Sequence, residues 1–187
     1  NLQAILDASA RGEMPSAKVA LVVSSNPEAF ALERARRAGV EAVVCPRAGR
    51  TQAEFESELE GVLRAHEIDL IVLAGFMTIL SGAFVAKYPK RILNVHPSLI
   101  PSFCGAGFYG LRVHRAALDY GVKVTGATVH FVNEIPDGGR IIAQKAVDVL
   151  EGDTPESLQR RVMEQAEWVL LPRAVEKVAS EMGGTSI

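Results

Sequence analysis

Asn94-Val95-His96-Pro97-Ser98 places an amide and an imidazole two residues apart, and Asp137-Gly138-Gly139 adds a carboxylate later in the chain. An Asn side chain can donate to an oxygen that gains negative charge. A His can donate to that oxygen or move a proton, and an Asp can orient the His and favour its charged form. These are parts from which an acyl-transfer site can be built. None of the three is a typical activated nucleophile, so the chemistry is direct transfer between two bound molecules without a covalent acyl-enzyme. Taken singly, each has a plainer use: Asn94 in a turn, His96 as a hydrogen-bonded loop residue, Asp137 as a turn former before two glycines. Their joint placement at the end of a strand favours the chemical reading.

That strand is the short run 91–95, and the elements before it alternate. Asn1 opens a helix with Leu2, Ile5 and Leu6 on one face. The valine-rich run 18–24 predicts a strand, and Ser25-Asn26-Pro27 predicts an N-cap with Pro at the first helical position, the helix running to Gly39. A strand at 42–45 follows. Thr51 and Glu54 have capping-box spacing ahead of Phe55, Leu59, Val62 and Leu63. The apolar run 70–74 predicts a buried strand, with a helix over 79–88. This alternation predicts a doubly wound α/β fold with a mostly parallel sheet, and puts Asn94 and His96 at a strand's carboxyl end, where such sheets bind ligands.

Beyond the motif, 97–110 carries Pro101, Gly105, Gly107 and Gly110 with Phe103, Phe108 and Tyr109, which reads as a long connection or a substrate-covering loop. A helix over 111–120 leads to strands over 124–132 and 140–149, an expected antiparallel pair. Thr154-Pro155 starts a terminal helix carrying Leu158, Val162, Ala166 and Val169 on one face.

A chain of 187 residues, 48% hydrophobic and 22% charged, predicts one domain over 1–187 with a sizeable core. A formal charge of -2 leaves no overall basic field for nucleic acid, and leaves open only a local patch around Arg112 and Arg115. Residues 70–86 are uncharged but short for a membrane span and interrupted by Gly75 and Gly82. No membrane partner is expected. Cys45 and Cys104 lack zinc-site spacing, and no two of the four His have ligand spacing, so no metal is expected. Without a signal-peptide pattern, the cytoplasm is the default. His130 reads as a satisfied structural residue on its strand, His66 as solvent-facing, and His114 as either a substrate contact or a surface residue.

Asn94-Val95-His96-Pro97-Ser98-Leu99-Ile100-Pro101, His130-Phe131-Val132 and Asp137-Gly138-Gly139 stand in a familiar order. With Leu32-Glu33-Arg34-Ala35 and Val72-Leu73-Ala74-Gly75-Phe76-Met77, they make the chain resemble the phosphoribosylglycinamide formyltransferases over nearly its whole length. The resemblance implies a Rossmann-like formyltransferase fold and transfer of a formyl group from 10-formyltetrahydrofolate, a co-substrate, to the amine of glycinamide ribonucleotide. It implies Asn94, His96 and Asp137 as the catalytic trio. It places the folate against Met77, Thr78, Ile79 and Leu80 and against Asn133, Glu134 and Ile135, largely through backbone groups. It places the nucleotide near Asn1, Pro97, Ser98 and Glu167. The chain has Thr78 where the family commonly has Arg, and Glu167-Trp168 where it has Glu-His. The family also has a first strand and a Gly/Ser-rich phosphate loop before the Asn matching Asn1, so that segment is expected upstream of residue 1. The rivals are a 10-formyltetrahydrofolate hydrolase with water as acceptor, a methionyl-tRNA formyltransferase with an added domain and a basic face, and a non-catalytic folate or nucleotide module. The partners implied are small molecules, with the protein a monomer or homodimer.

Overall fold

The computed structural model describes residues 1–183; the last four residues of the expected domain, 184–187, lie outside the described residues. Among the described residues, six strands form two hydrogen-bonded groups. β1 (Leu21–Ser24) and β2 (Glu41–Val44) pair in parallel. The other four run in the order β3 (Ile71–Leu73), β4 (Ile92–His96), β5 (Val124–Phe131) and β6 (Ile141–Asp148). β3 and β4 are parallel, whereas β5 is antiparallel to both β4 and β6. The antiparallel pair expected over 124–149 is therefore present, and β5 also ties it to the parallel part.

Helices cover both faces of this sheet. On one side, α1 (Leu2–Ala10), α6 (Pro155–Val162) and α7 (Trp168–Gly183) bury Ile5, Leu158, Leu171 and Val175 against Leu93, Val95, Ala127 and Val129. On the other, α3 (Gln52–Ala65) and α4 (Gly82–Val85) bury Phe55, Leu59 and Phe84 against Ile92. Side chains alternate across a strand, so Leu93 and Val95 enter the first core while Ile92, Asn94 and His96 share the second face. The capping box at the start of α3 is present, with Glu54 N–H donating to Thr51 Oγ1 at 3.2 Å and Thr51 N–H to the Glu54 carboxylate at 2.8 Å.

Three elements differ from the sequence reading. α2 (Phe30–Arg37) begins after Pro27, because Asn26 Oδ1 accepts the Glu28 N–H at 2.9 Å and turns the chain first. The helix expected over 79–88 contracts to α4, since Ser81 caps it by accepting the Phe84 N–H. The terminal helix contains a π-helical turn, Met163–Glu167, between α6 and α7. The extra residue in such a turn slips the apolar stripe by one position. Leu170 and Ala174 are buried as a result, and Val169 is only half-buried.

Candidate active site

Cross-strand register assembles the polar cluster. Asn94 lies opposite His130 and His96 opposite Thr128 on β4 and β5. All four side chains share one face. A register irregularity at Val129 and His130, where β5 meets β6, falls at the point where His130 enters the site. Bulges of this kind re-aim side chains beside active sites. His130 Nδ1–H donates to the Phe131 carbonyl oxygen at 2.8 Å, and Nε2 is the acceptor facing Asn94 Nδ2 at 3.3 Å. His130 is thus a satisfied histidine, as its strand position predicts, and also a member of the cluster, which its sequence context does not reveal.

Asp137 arrives from the connection between β5 and β6. Its φ is 56°, in the left-handed region where Asp is tolerated better than most residues. A Cβ on Gly138 would stand 2.7 Å from the Ile135 side chain, and one on Gly139 would overlap the Phe131 carbonyl oxygen. Steric contact therefore dictates the two glycines after Asp137. The carboxylate lies 3.4 Å from His96 Nδ1 and 3.6 Å from His130 Nε2, and accepts the Gly105 N–H at 2.9 Å. Burial, the largest influence, pushes this carboxyl up. The Gly105 N–H and the charge of His96 oppose it, and the group is held below the usual carboxylate range.

The connection 97–110 closes the cluster from above. His96 Nε2–H donates to the Phe103 carbonyl oxygen at 2.8 Å, so both ring nitrogens of this buried residue face protein acceptors. Asn94 is only half-buried. It is the member of the trio with an N–H left for a ligand. Ser98 is fully buried, and its hydroxyl donates to the Ser102 carbonyl oxygen at 2.6 Å. Thr128 Oγ1 donates to the Ser98 carbonyl oxygen and accepts the Ile100 N–H, which ties the connection to β5. Phe103 packs edge-on against Phe108 and Tyr120. His114, on α5 (Leu111–Tyr120), is fully buried, which removes its surface reading. Burial first, and then repulsion from His96, lower its pKa to about 4.

The remaining predicted residues fall in three places. Met77 and Ile79 are exposed, Thr78 is half-exposed and Leu80 is buried in the core under α3. Glu134 and Ile135 are exposed, and Asn133 Oδ1 accepts the Ile135 N–H at 3.0 Å. These two segments are neighbours, since a Cβ on Gly82 would lie 3.4 Å from Glu134 Cβ. Asn1 and Glu167 meet across the chain, Asn1 Nδ2 donating to the Glu167 carboxylate at 2.6 Å; burial raises the Glu167 carboxyl. Pro97 is half-buried beside His96. Among the described residues, no group of three or more His, Cys, Asp or Glu is placed to hold a metal ion. No helix among them is long and apolar enough to cross a membrane. His66 is not simply solvent-facing, because its ring spans the Val62 carbonyl oxygen and Glu41.

The family profile described as formyl transferase matches residues 1–175. The chain is 44% identical over 149 residues to a chloroplastic phosphoribosylglycinamide formyltransferase of Arabidopsis thaliana, covering 79% of this chain and 51% of that one. It spans about half the length of that relative. The crystal structure of glycinamide ribonucleotide transformylase 1 from Symbiobacterium toebii superposes with a TM-score of 0.89 at 45% identity, covering 96% of this chain and 82% of that one. A formyltetrahydrofolate deformylase from Pseudomonas syringae superposes at 0.84 with 27% identity, over 96% of this chain and 57% of that one.

Proposed function

The chain belongs to the formyl transferase family, and we propose that it transfers the formyl group of 10-formyltetrahydrofolate to the amine of glycinamide ribonucleotide in de novo purine synthesis. The observation that carries this reading is the convergence of Asn94, His96 and Asp137 on one sheet face with an ionised, partly shielded carboxylate.

As the amine attacks the formyl carbon, charge grows on the formyl oxygen. The free N–H of Asn94 donates to that oxygen. The amine sheds one proton, which Asp137 accepts directly or through water, and the folate nitrogen gains one as the carbon–nitrogen bond breaks. His96 holds Asp137 by charge. It donates to the oxyanion itself only after the Phe103 carbonyl has moved off its Nε2. The exposed Met77, Ile79 and Ile135 border the folate, together with the backbone of Thr78, Leu80, Asn133 and Glu134. Asn1 and Glu167 meet the nucleotide ribose, with Pro97 and the buried Ser98 shaping the wall from behind. Cys45 and Cys104 are free thiols, in keeping with the cytoplasm.

Tetrahydrofolate release from 10-formyltetrahydrofolate, with and without glycinamide ribonucleotide, tests the reading. Release that requires the nucleotide is expected. Release of formate without it would make water the acceptor and the protein a hydrolase.

A further inference from the structure

The segment carrying Met77 to Leu80 is fastened from beneath by two residues of α3. Glu56, only 8% exposed, accepts the Ser81 backbone N–H on Oε1 and the Ser81 hydroxyl on Oε2, both at 2.6 Å. Gln52, one helical turn earlier, donates from Nε2 to Glu56 Oε1 at 2.6 Å and to the Ile79 carbonyl oxygen at 2.9 Å. Ser81 in turn caps α4.

Helix formation does not require a carboxylate here. The buried face of α3 is otherwise Phe55, Leu59 and Leu63, and a buried charge is destabilising unless several donors meet it. Burial pushes the Glu56 carboxyl up, but the Ser81 and Gln52 hydrogen bonds and the Lys87 charge hold it below its ordinary value. The donors either belong to the segment or grip it. Little else does, because residues 76–80 are neither helix nor strand and the side chains of Met77 and Ile79 are 68% and 73% exposed. Leu80 is buried beneath it and Phe76 stacks on Phe55 at its start, which leaves 77–79 without an apolar anchor.

We propose that Glu56 and Gln52 are positioning residues that fix the 77–80 backbone in the shape that receives the pteridine of the formyl donor. The proposal rests on the functional reading above, which seats the folate on that segment. Recognition through backbone donors and acceptors needs a rigid edge, since a shift of about 1 Å misaligns several hydrogen bonds at once.

Glu56→Ala and Gln52→Ala test it, with Glu56→Gln as the conservative variant that keeps one acceptor for the Ser81 N–H. Two readouts apply: steady-state kinetics, and amide hydrogen exchange over 77–81 in the ligand-free protein. In Glu56→Ala the KM for 10-formyltetrahydrofolate should rise about tenfold, the equivalent of one or two lost hydrogen bonds. The KM for glycinamide ribonucleotide and the kcat at saturating donor should stay within about threefold. Exchange over 77–81 should quicken about tenfold, and Glu56→Gln should recover much of both effects. Unchanged exchange overturns the clamp. Faster exchange with an unchanged donor KM overturns its role in donor binding, as does a fall in kcat with both KM values unmoved. If the wild-type protein does not use the donor, the functional reading fails by itself, and with it the role in donor binding; hydrogen exchange still shows whether Glu56 and Gln52 hold the segment.

Discussion

Strand β4 has two faces with different duties. Leu93 and Val95 point into a core of apolar side chains from β5, α6 and α7. Asn94 and His96 point the other way, to His130 and Asp137. Because side chains alternate, a slip of one residue would exchange these pairs, driving an amide and an imidazole into the apolar core and turning two hydrophobes onto the polar cluster. Pairing with β3 on one side and β5 on the other guards the register. Stability and chemistry are therefore separable by the parity of a single strand, and substitutions on the two faces should fail in different ways.

The largest effect belongs to the chemical face. Asp137→Asn keeps the shape but removes the charge beside His96 and the proposed acceptor for the amine proton. Its kcat should fall by ~10³-fold, with a melting temperature within about 4 °C of wild type. A fall of less than about tenfold would remove Asp137 from the proton path.

On the opposite face, Leu93→Ala should cost about 2–5 kcal/mol of stability in a denaturant titration, because Leu93 is wholly enclosed. The kcat per folded molecule should barely change. A large loss of kcat in well-folded Leu93→Ala protein would show that the two faces are coupled.

A third test concerns His114, which sits unpaired on the chemical side: neither ring nitrogen has a protein partner. With a folded pKa of about 4 against an ordinary 6.5, the unfolded chain binds the proton first. Its contribution is complete above pH 6.5 and drains away as the pH falls towards 4, amounting to about 3 kcal/mol. Glu167, whose carboxyl is raised, acts in the opposite sense. The measurement is therefore the difference between wild type and His114→Phe, and the variant should lose less stability between pH 6.5 and pH 4. Parallel curves would mean that His114 titrates normally.

What was legible in the sequence follows the same division. Asn94, His96 and Asp137 are visible because short-range chemistry marks them, through a strand end and a turn that only glycine can complete. α5 and the Thr51 capping box were also local matters. The helix expected over 79–88 is shorter in the structure because Ser81 and the distant Glu56 decide where it starts. His130 reads as structural from its sequence because its place in the site depends on pairing with β4, 36 positions away, and on the irregularity beside it. Nothing local in the sequence reports either.

His130 supplies the finest test of the two faces, because its neighbour Val129 faces the apolar core. Its Nδ1–H is committed to the Phe131 carbonyl, so Nε2 takes one Asn94 N–H and fixes which way the amide is turned. In the proposed mechanism the second N–H of Asn94 is then left for the formyl oxygen. His130→Phe keeps a flat ring but offers no acceptor, and the amide becomes free to present its oxygen, which repels the developing charge. The kcat should fall about tenfold, with both KM values within about twofold, since ground-state binding does not involve this N–H. His130→Gln restores an acceptor and should recover part of the loss. If Gln and Phe lose equally, or if KM rises in place of the fall in kcat, the imidazole acts as packing and the orientation of Asn94 is set elsewhere.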